Sequence, residues 1–362
     1  MKLSQRALNR ATLDRQLLLR RVNLSVLEAV EHLAGLQAQA PVPPYYALWT
    51  RLHGFRPENL AKLLLDREVA RLVLMRGTVH LVTSADALAW RPLVQPVLDR
   101  GLKTNARHAA LVAGLDHGAV AVEARALLAQ RPHTSGQLAA ALAQRWPDRS
   151  GRALTHLVRC LLPLVQIPPR GVWGRAGQPT YQVAESWLAG TSAVSSLDQL
   201  VRRYLKAFGP ATIADAQAWS GLTKLDEVIE RMDLRTYLDE AGRTLYDLPE
   251  STLPGEDVPA PPRLLAPFEQ PILSYADRTR VISDEHRKRV ISQNGIVKGT
   301  VLAGGYVQGY WEVETARERA TFVLTPFERL PKRDAAALES AGRRLLKWAE
   351  PAAEHDVRLK PA

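Results

Sequence analysis

The sequence predicts a mainly α-helical fold with a share of β-structure, on three observations. Apolar residues recur at helical spacing in many separate runs, as in Leu24, Leu27, Val30 and Leu33. Short segments rich in Val, Ile, Thr and Tyr follow these runs in pairs around turn residues, the mark of hairpins. From 256 onward the helical spacing gives way to strand-like segments closed by one last helix. The 362 residues suffice for several small domains, and 46% hydrophobic content excludes general disorder.

Three segments repeat the order helix, short turn, helix, hairpin, with negligible identity between them, so the repeat is one of pattern. The first runs from about Thr12 to Thr83 and ends in Val73-Leu74-Met75-Arg76-Gly77-Thr78-Val79-His80-Leu81-Val82, which reads as strand. In the second, Thr134 or Ser135 caps a helix through Trp146, and a further helix covers Ala153 to Leu162. Val165-Gln166-Ile167 and Tyr181-Gln182-Val183 then flank a loop rich in Pro and Gly, which makes this a helix-turn-helix with a wing. In the third, Asp198 to Phe208 is one helix, Thr212 caps a second from Ile213 to Trp219, and Lys224 to Met232 is the next. Thr236-Tyr237-Leu238 and Thr244-Leu245-Tyr246 surround its turn, Asp239-Glu240-Ala241-Gly242.

The segment from Pro249 to Pro267, rich in Pro and acidic residues, reads as an extended linker. Beyond it, Arg289-Val290-Ile291 and Ile296-Val297 flank Asn294-Gly295, a hairpin signal. Thr300-Val301-Leu302, Tyr306 to Trp311 and Ala320 to Leu324 read as further strands. A last helix, Asp334 to Ala349, offers Leu338, Leu345, Leu346 and Trp348 for packing on that sheet. The expected organisation is three tandem winged-helix units, at 1–115, 116–190 and 191–255, and then a linker and C-terminal β-rich region at 256–362.

The formal net charge of +11 suggests a polyanionic partner, because Lys and Arg that neutralise phosphates release counterions. Clustering tells more than the total: Arg6, Arg10, Arg15, Arg20 and Arg21 fall in the first helical region, and Arg278, Arg280, Arg287, Lys288 and Arg289 fall near the expected Asn294-Gly295 hairpin. The plainer alternative for that hairpin is a solvated edge kept soluble by charge. The chain has no run of 18 apolar residues, and its start lacks the apolar core of a signal peptide. The expectation is therefore a cytoplasmic protein, nucleoid-associated through DNA binding, with no membrane contact. The lone Cys160 lies in an apolar run and reads as a buried structural thiol.

Gln37 and Gln39, in Gly35-Leu36-Gln37-Ala38-Gln39-Ala40-Pro41, are the most informative residues in the chain. Gly35 reads as a helix stop and Pro41 keeps Ala40 extended, so the period between them is two and both amides face one way. Two adjacent amides can hold one water with matched donors and acceptors while carrying no charge. The alternative is that they only cap or bridge loops. Gln-apolar-Gln followed by Pro43-Pro44 and Tyr45-Tyr46-Ala47-Leu48-Trp49 resembles the signature of the AlkZ-type winged-helix DNA glycosylases. Arg76 to Thr83, Phe208-Gly209-Pro210-Ala211-Thr212 with Trp219-Ser220-Gly221, Asp277-Arg278-Thr279-Arg280 and Arg287-Lys288-Arg289-Val290 are similar to that family in the same order, over nearly the whole chain. The Gln-apolar-Gln form, unlike the Gln-x-Asp form of the YcaQ-type branch, resembles the branch that confers self-resistance to azinomycin B.

That resemblance implies a monofunctional glycosylase that removes N7-alkylguanine from double-stranded DNA and unhooks interstrand crosslinks between two such bases. Gln37 and Gln39 would be catalytic. Glycosidic hydrolysis passes through a cation-like sugar, so the protein must place water and tolerate positive charge. An amide is too weakly basic to deprotonate water and can only orient it. N7-alkylguanine already carries a positive charge and leaves without an enzymatic acid, so residue type and substrate agree. A crosslinked base cannot be extruded freely into a closed pocket. The site should therefore be an open channel, with a basic hairpin of Arg287, Lys288, Arg289 and Asn294 reaching a groove of the duplex.

Arg76 and His80 share one face of an expected strand with Thr78, either contacting DNA or holding the glutamines; alternatively His80 packs in the core and Arg76 is a surface charge. Tyr45, Tyr46 and Trp49 are lesion-pocket candidates, although their helical spacing also fits plain packing. No cofactor and no metal is expected: Gly304-Gly305 opens no helix, and no histidine pair has metal spacing. Asp277, Asp284 and Glu285 suit ion pairs better than a nuclease cluster, and Lys288 and Lys298 do not look buried enough for a lyase. The rival function is a non-catalytic winged-helix transcriptional regulator, against which stand Asp226, Glu227 and Glu230 in one of its possible recognition helices. A monomer is expected.

Overall fold

Small polar side chains fix where most helices begin. In the computed structural model, which describes residues 1–104, 106–188 and 195–361, Ser4 caps α1 (Gln5–Arg15), and Ser25 forms a reciprocal capping box with Glu28 on α2 (Val26–His32). β1 (Leu36–Gln37), α3 (Pro43–Arg51) and α4 (Pro57–Leu65) follow. Both of these helices open on Pro, whose missing N–H costs nothing in a first turn. β2 (Val69–Val73) and β3 (Val79–Thr83) form an antiparallel hairpin.

Three helices, α5 (Ser84–Leu93), α6 (Gln95–Thr104) and α7 (Ala106–Val112), lead to a second passage of the same order. It comprises α8 (His117–Gln130), β4 (His133–Thr134), α9 (Ser135–Arg145), α10 (Gly151–Leu161), β5 (Leu164–Gln166) and β6 (Thr180–Val183). After the short α11 (Ala184–Trp187) come α12 (Leu197–Phe208), α13 (Ile213–Ser220), α14 (Asp226–Ile229), β7 (Arg235–Leu238) and β8 (Thr244–Asp247). Ala211 bridges to Tyr246 where the earlier passages have their first strand. Thr134 with Gln137 and Thr212 with Asp215 form the capping boxes at the expected helix starts.

The first two hairpins are not separate wings. They join edge to edge, Leu72 opposite Val165, in one six-stranded sheet of order β1-β3-β2-β5-β6-β4, while β7 and β8 form a sheet of their own. One apolar core runs beneath the first two passages and on into the C-terminal region; a second gathers α5, α12 and α13.

The C-terminal region contains β9 (Arg263–Leu265), α15 (Gln270–Leu273), α16 (Asp284–Val290), β10 (Gly299–Ala303), β11 (Tyr306–Ala316), β12 (Arg319–Pro326), α17 (Lys332–Ala349) and β13 (Glu354–Leu359). Its sheet has the order β13-β12-β11-β10-β9. Only the β12–β13 pair is parallel, made possible by the crossover through α17. Leu338, Leu345 and Leu346 of that helix are buried with Phe322 and Leu324 of the sheet, as their spacing predicts. The fold is thus mixed α and β, with the glutamine segment at one edge of the six-stranded sheet.

Several local expectations are corrected. Lys224 to Met232 is helical only over α14, because Lys224 takes left-handed backbone at φ 59°. The expected linker contains β9, whose Leu264 and Leu265 are buried. Val73 to Val82 is broken by a tight turn at Met75–Gly77, where Arg76 has φ 56°. The basic residues Arg287, Lys288 and Arg289 lie on the last turn of α16, not on a hairpin. Ser283 caps that helix, with acidic residues in the first turn and basic ones in the last, a charge order that complements the helix dipole. Asn294-Gly295 then forms only a tight loop, closed by the single bridge Ile291 to Val297. The expected boundary at 190/191 lies outside the described residues.

Candidate active site

Gly35 creates the segment that carries the glutamines. Ala34 and Gly35 both take left-handed backbone after α2, at φ 52° and 86°. A Cβ at Gly35 would stand 2.5 Å from Val82 Cγ1 and 3.0 Å from the Leu81 carbonyl oxygen, so glycine is what lets the chain turn onto β3. β1 then pairs with β3, Gln37 opposite His80, and the Ala38 N–H donates to the Val79 carbonyl at 2.7 Å.

The turn between β2 and β3 holds both amides. Gln37 Oε1 accepts from Arg76 Nη2 at 2.8 Å, and Gln39 Oε1 accepts from the Val79 N–H at 3.0 Å. Each neighbour can only donate, so the two oxygens must face inward and the two NH2 groups are left for a ligand. Each oxygen also keeps a second lone pair. Gln37 is 8% exposed, while Gln39 is exposed at the rim.

Arg76 is held from the far side by α13, whose Trp219 carbonyl accepts from Nη1 at 2.5 Å. A Cβ at Gly221 would stand 3.2 Å from the Arg76 backbone, and Arg100 caps the same helix end through the Gly221 carbonyl. Desolvation, and then the neighbouring Arg278, pull the Arg76 guanidinium down to about 10, still fully charged at neutral pH. Arg76 therefore occupies a turn, not a strand face, yet reaches the glutamine that the sequence pairs it with.

His80 is 0% exposed, which removes it from direct DNA contact: it lies on β3, paired with Gln37 of β1. Nδ1 lies 3.0 Å from the Thr78 carbonyl, which can only accept, so Nδ1 carries the proton and the buried Nε2 is left as a bare acceptor. Burial, and then the Arg76 charge, push its pKa down to about 3. The unfolded chain, with His80 near its ordinary 6.5, therefore binds a proton that the folded chain refuses. Stability from this group is complete above pH 6.5 and declines as pH falls toward 3. In urea unfolding across that range, the stability gap between the wild type and His80→Asn should narrow as the pH falls; a constant gap would mean that His80 accepts the proton when folded.

Tyr45, Tyr46 and Trp49 turn out to be packing residues. The Tyr45 hydroxyl donates to the Gly171 carbonyl at 2.7 Å and accepts from the Trp173 N–H at 3.1 Å. Tyr46 stands edge-on to Trp311 and Trp348, and Trp49 lies 5.9 Å from Trp348 beneath Arg21. Their helical spacing aligns them on one aromatic cluster that ties α3 to the β5–β6 loop and the C-terminal region, and Tyr45 also borders a groove.

Basic residues divide in two. Arg10 and Arg15 are buried staples, Arg15 pairing with Asp247 at 2.8 Å, and Arg280 is buried beside Asp215. Arg278 stands electrostatically between Arg76 and Arg287, each depressing the next, so positive charge runs from Gln37 toward α16. There Lys288 is exposed, Arg289 lies over Phe327 and Arg287 pairs with Asp284; Asn294 is exposed on the following loop. Asp277 likewise pairs with Arg243, and Lys298 is exposed over Tyr310. Cys160 is buried. Among the described residues no helix is long and apolar enough to cross a membrane, and no three His, Cys, Asp or Glu gather to hold a metal ion. One cation escaped the sequence reading: Arg71, which is buried in β2 and donates to the Ala38 carbonyl between the two glutamines. Its only signal is a lone charge inside the apolar run Val69-Ala70-Arg71-Leu72-Val73.

A family model described as DNA glycosylase AlkZ-like matches residues 30–348. An interstrand DNA cross-link repair glycosylase of Streptomyces sahachiroi is 28% identical over 362 aligned positions, covering 91% of this chain and 93% of that protein. The solved structure of Streptomyces sahachiroi DNA glycosylase AlkZ has the same fold, with a TM-score of 0.81 at 24% identity, over 99% of this chain and 100% of that one. This chain is thus a distant relative of that enzyme.

Proposed function

Because this chain belongs to the AlkZ-like DNA glycosylase family, hydrolases that act on N-glycosyl bonds, we propose that it excises N7-alkylguanine from duplex DNA and unhooks interstrand crosslinks built on that base. The observation that carries this reading is the pair of amides whose oxygens are pinned by Arg76 and Val79, in a site whose one histidine stays neutral. Such a site orients and does not ionise. A water can donate to the second lone pair of a glutamine oxygen or accept from an NH2 group, and its own lone pair is then directed at the anomeric carbon. Neither glutamine removes the proton at the outset; once the water oxygen has bonded to the anomeric carbon and the base has left neutral, that proton passes to bulk solvent. The leaving base supplies the positive charge that an acid would otherwise create.

Three winged-helix units in tandem fit the order helix, strand, helix, helix, hairpin, which the chain runs through twice, and a third time with the bridge Ala211 to Tyr246 in the strand's place. The charge running from Arg76 through Arg278 to Arg287, with Lys288, Arg289 and Asn294 beyond, gives the duplex a path across an open site, as a base tethered to both strands requires. A crosslinking antibiotic such as azinomycin B would be one source of that lesion, and the enzyme would then serve self-resistance. Both glutamines and their supports lie in one chain, so we take the active form to be a monomer. A regulator is the weaker reading, since α14 is a single acidic turn.

The test is a duplex with one N7-methylguanine, incubated with the protein and then treated with alkali. Strand cleavage should appear only after alkali, from an abasic site. Cleavage without alkali would indicate a lyase, and no cleavage in either lane would remove this substrate.

A further inference from the structure

Pro41 and Val42, two and three residues after Gln39, face the β5–β6 loop across a groove that Arg170, Gly171, Trp173 and Arg175 also line, and no acidic side chain lines it. Beneath this groove lies Arg71, 1% exposed. Its Nη2 donates to the Ala38 carbonyl at 2.9 Å, but its Nε and Nη1 have no partner, nor has the buried Nε of Arg170. The cation closest to it electrostatically is Arg170, and burial followed by that repulsion pulls the Arg71 guanidinium down to about 10. Among the other buried arginines, Arg15 has Asp247, Arg51 has Glu269 and Arg280 has Asp215, while Arg10 and Arg91, without a carboxylate, donate to several carbonyl and amide oxygens. Position 171 is shaped around the guanidinium. Gly171 has φ 92°, and a Cβ there would stand 2.9 Å from Arg71 Cδ and 3.1 Å from Nη1, so a single layer of backbone separates this charge from the groove.

A buried guanidinium with unmet N–H groups and no carboxylate is costly to hold, and a cost kept in place beside a cationic groove calls for an anion from outside the chain. We propose that this groove binds one phosphodiester of the DNA strand that carries the lesion. Arg170 and Arg175 meet the phosphate at the rim, and Arg71 supplies charge from beneath. Because Arg71 also holds the carbonyl between Gln37 and Gln39, the same arginine registers the strand against both amides. The bound phosphate offsets cationic charge that would otherwise oppose the cation-like sugar. The assignment rests on the glycosylase reading above, and its chemistry, a phosphate oxygen on guanidinium groups, is shared with free phosphate.

The experiment measures affinity for lesion-free duplex against salt concentration, and thermal unfolding with and without that duplex, for the full chain, the double variant Arg170→Ala/Arg175→Ala, and Arg71→Met. The double variant should lower the slope of log affinity on log salt by about 0.9, one phosphate's worth. Arg71→Met should unfold no earlier than wild type without DNA, and should lose part of the rise in Tm that duplex gives the wild type. An unchanged slope, or an earlier unfolding of Arg71→Met with its DNA-induced rise intact, would make Arg71 a structural residue and overturn the site. A third arm adds inorganic phosphate alone: a rise in wild-type Tm equal to that with duplex would assign the groove to a free anion and overturn the DNA assignment. Excision of N7-methylguanine by the wild type, run alongside, separates the two levels. An active enzyme with an unchanged slope sinks only this site, and an inactive one sinks the substrate reading.

Discussion

Gln37→Ala and Gln39→Ala should each slow single-turnover excision of N7-methylguanine by about a hundredfold or more, the scale on which a lost positioning or polar group acts at a transition state. Affinity for the duplex should stay within a few-fold, because phosphate contacts and not these amides set it. The two variants should differ in stability. Gln37 accepts from Arg76, so its loss leaves an unmet guanidinium N–H in a largely buried turn and should cost about 1–3 kcal/mol. Gln39 is exposed, and water can replace its bond to the Val79 N–H, so its loss should leave Tm nearly unchanged. Single-turnover rates, gel-shift affinities and melting curves on the three proteins check all of this. Full activity in both variants would remove the glutamines from the chemistry, and a parallel fall of rate and affinity would make them binding residues.

What the sequence revealed and what it hid follow from range. The caps at Thr134 and Thr212 and the glycine at position 35 are local features, and two helix starts and the turn into Gln37 were legible from them. The pairing of Arg76 with Gln37 was half legible: the proximity was expected, but the left-handed turn that produces it was not. Ser283-Asp284-Glu285 with Arg287-Lys288-Arg289 was a helix signal that the adjacent Asn294-Gly295 outweighed. Neighbouring residues cannot show which charges go inside. Arg15 and Arg280 looked like parts of a DNA-facing cluster, yet their carboxylates, Asp247 and Asp215, lie far off in the chain. The junction of the first two hairpins at Leu72 and Val165 is a contact of the same kind. So is β13, whose apolar side is only Val357 and Leu359 and which α17 delivers to the edge of β12.

Excision should be nearly independent of pH between about 6 and 8.5 wherever DNA is saturating, because the groups that titrate near the amides lie outside that window. His80 is held down to about 3 and stays neutral throughout, and Arg76, held at about 10, stays charged throughout. A carboxylate or histidine acting as base would instead give a limb within reach. Gln39→Asp supplies the contrast, since it places a titrating group where the Val79 N–H can hold its charged form, and any activity it retains should fall as that carboxylate protonates in acid. Substrate choice follows from the same absence of an acid. Uracil and 8-oxoguanine carry no built-in positive charge, so their glycosidic bonds need a proton that this site does not supply. Their release should be undetectable under conditions that clear N7-methylguanine. Single-turnover rates for the three lesions across the pH range decide the question. Efficient uracil release, or a bell-shaped profile for the alkylated base, would show that an ionisable group elsewhere reaches the sugar and that the amides are not sufficient.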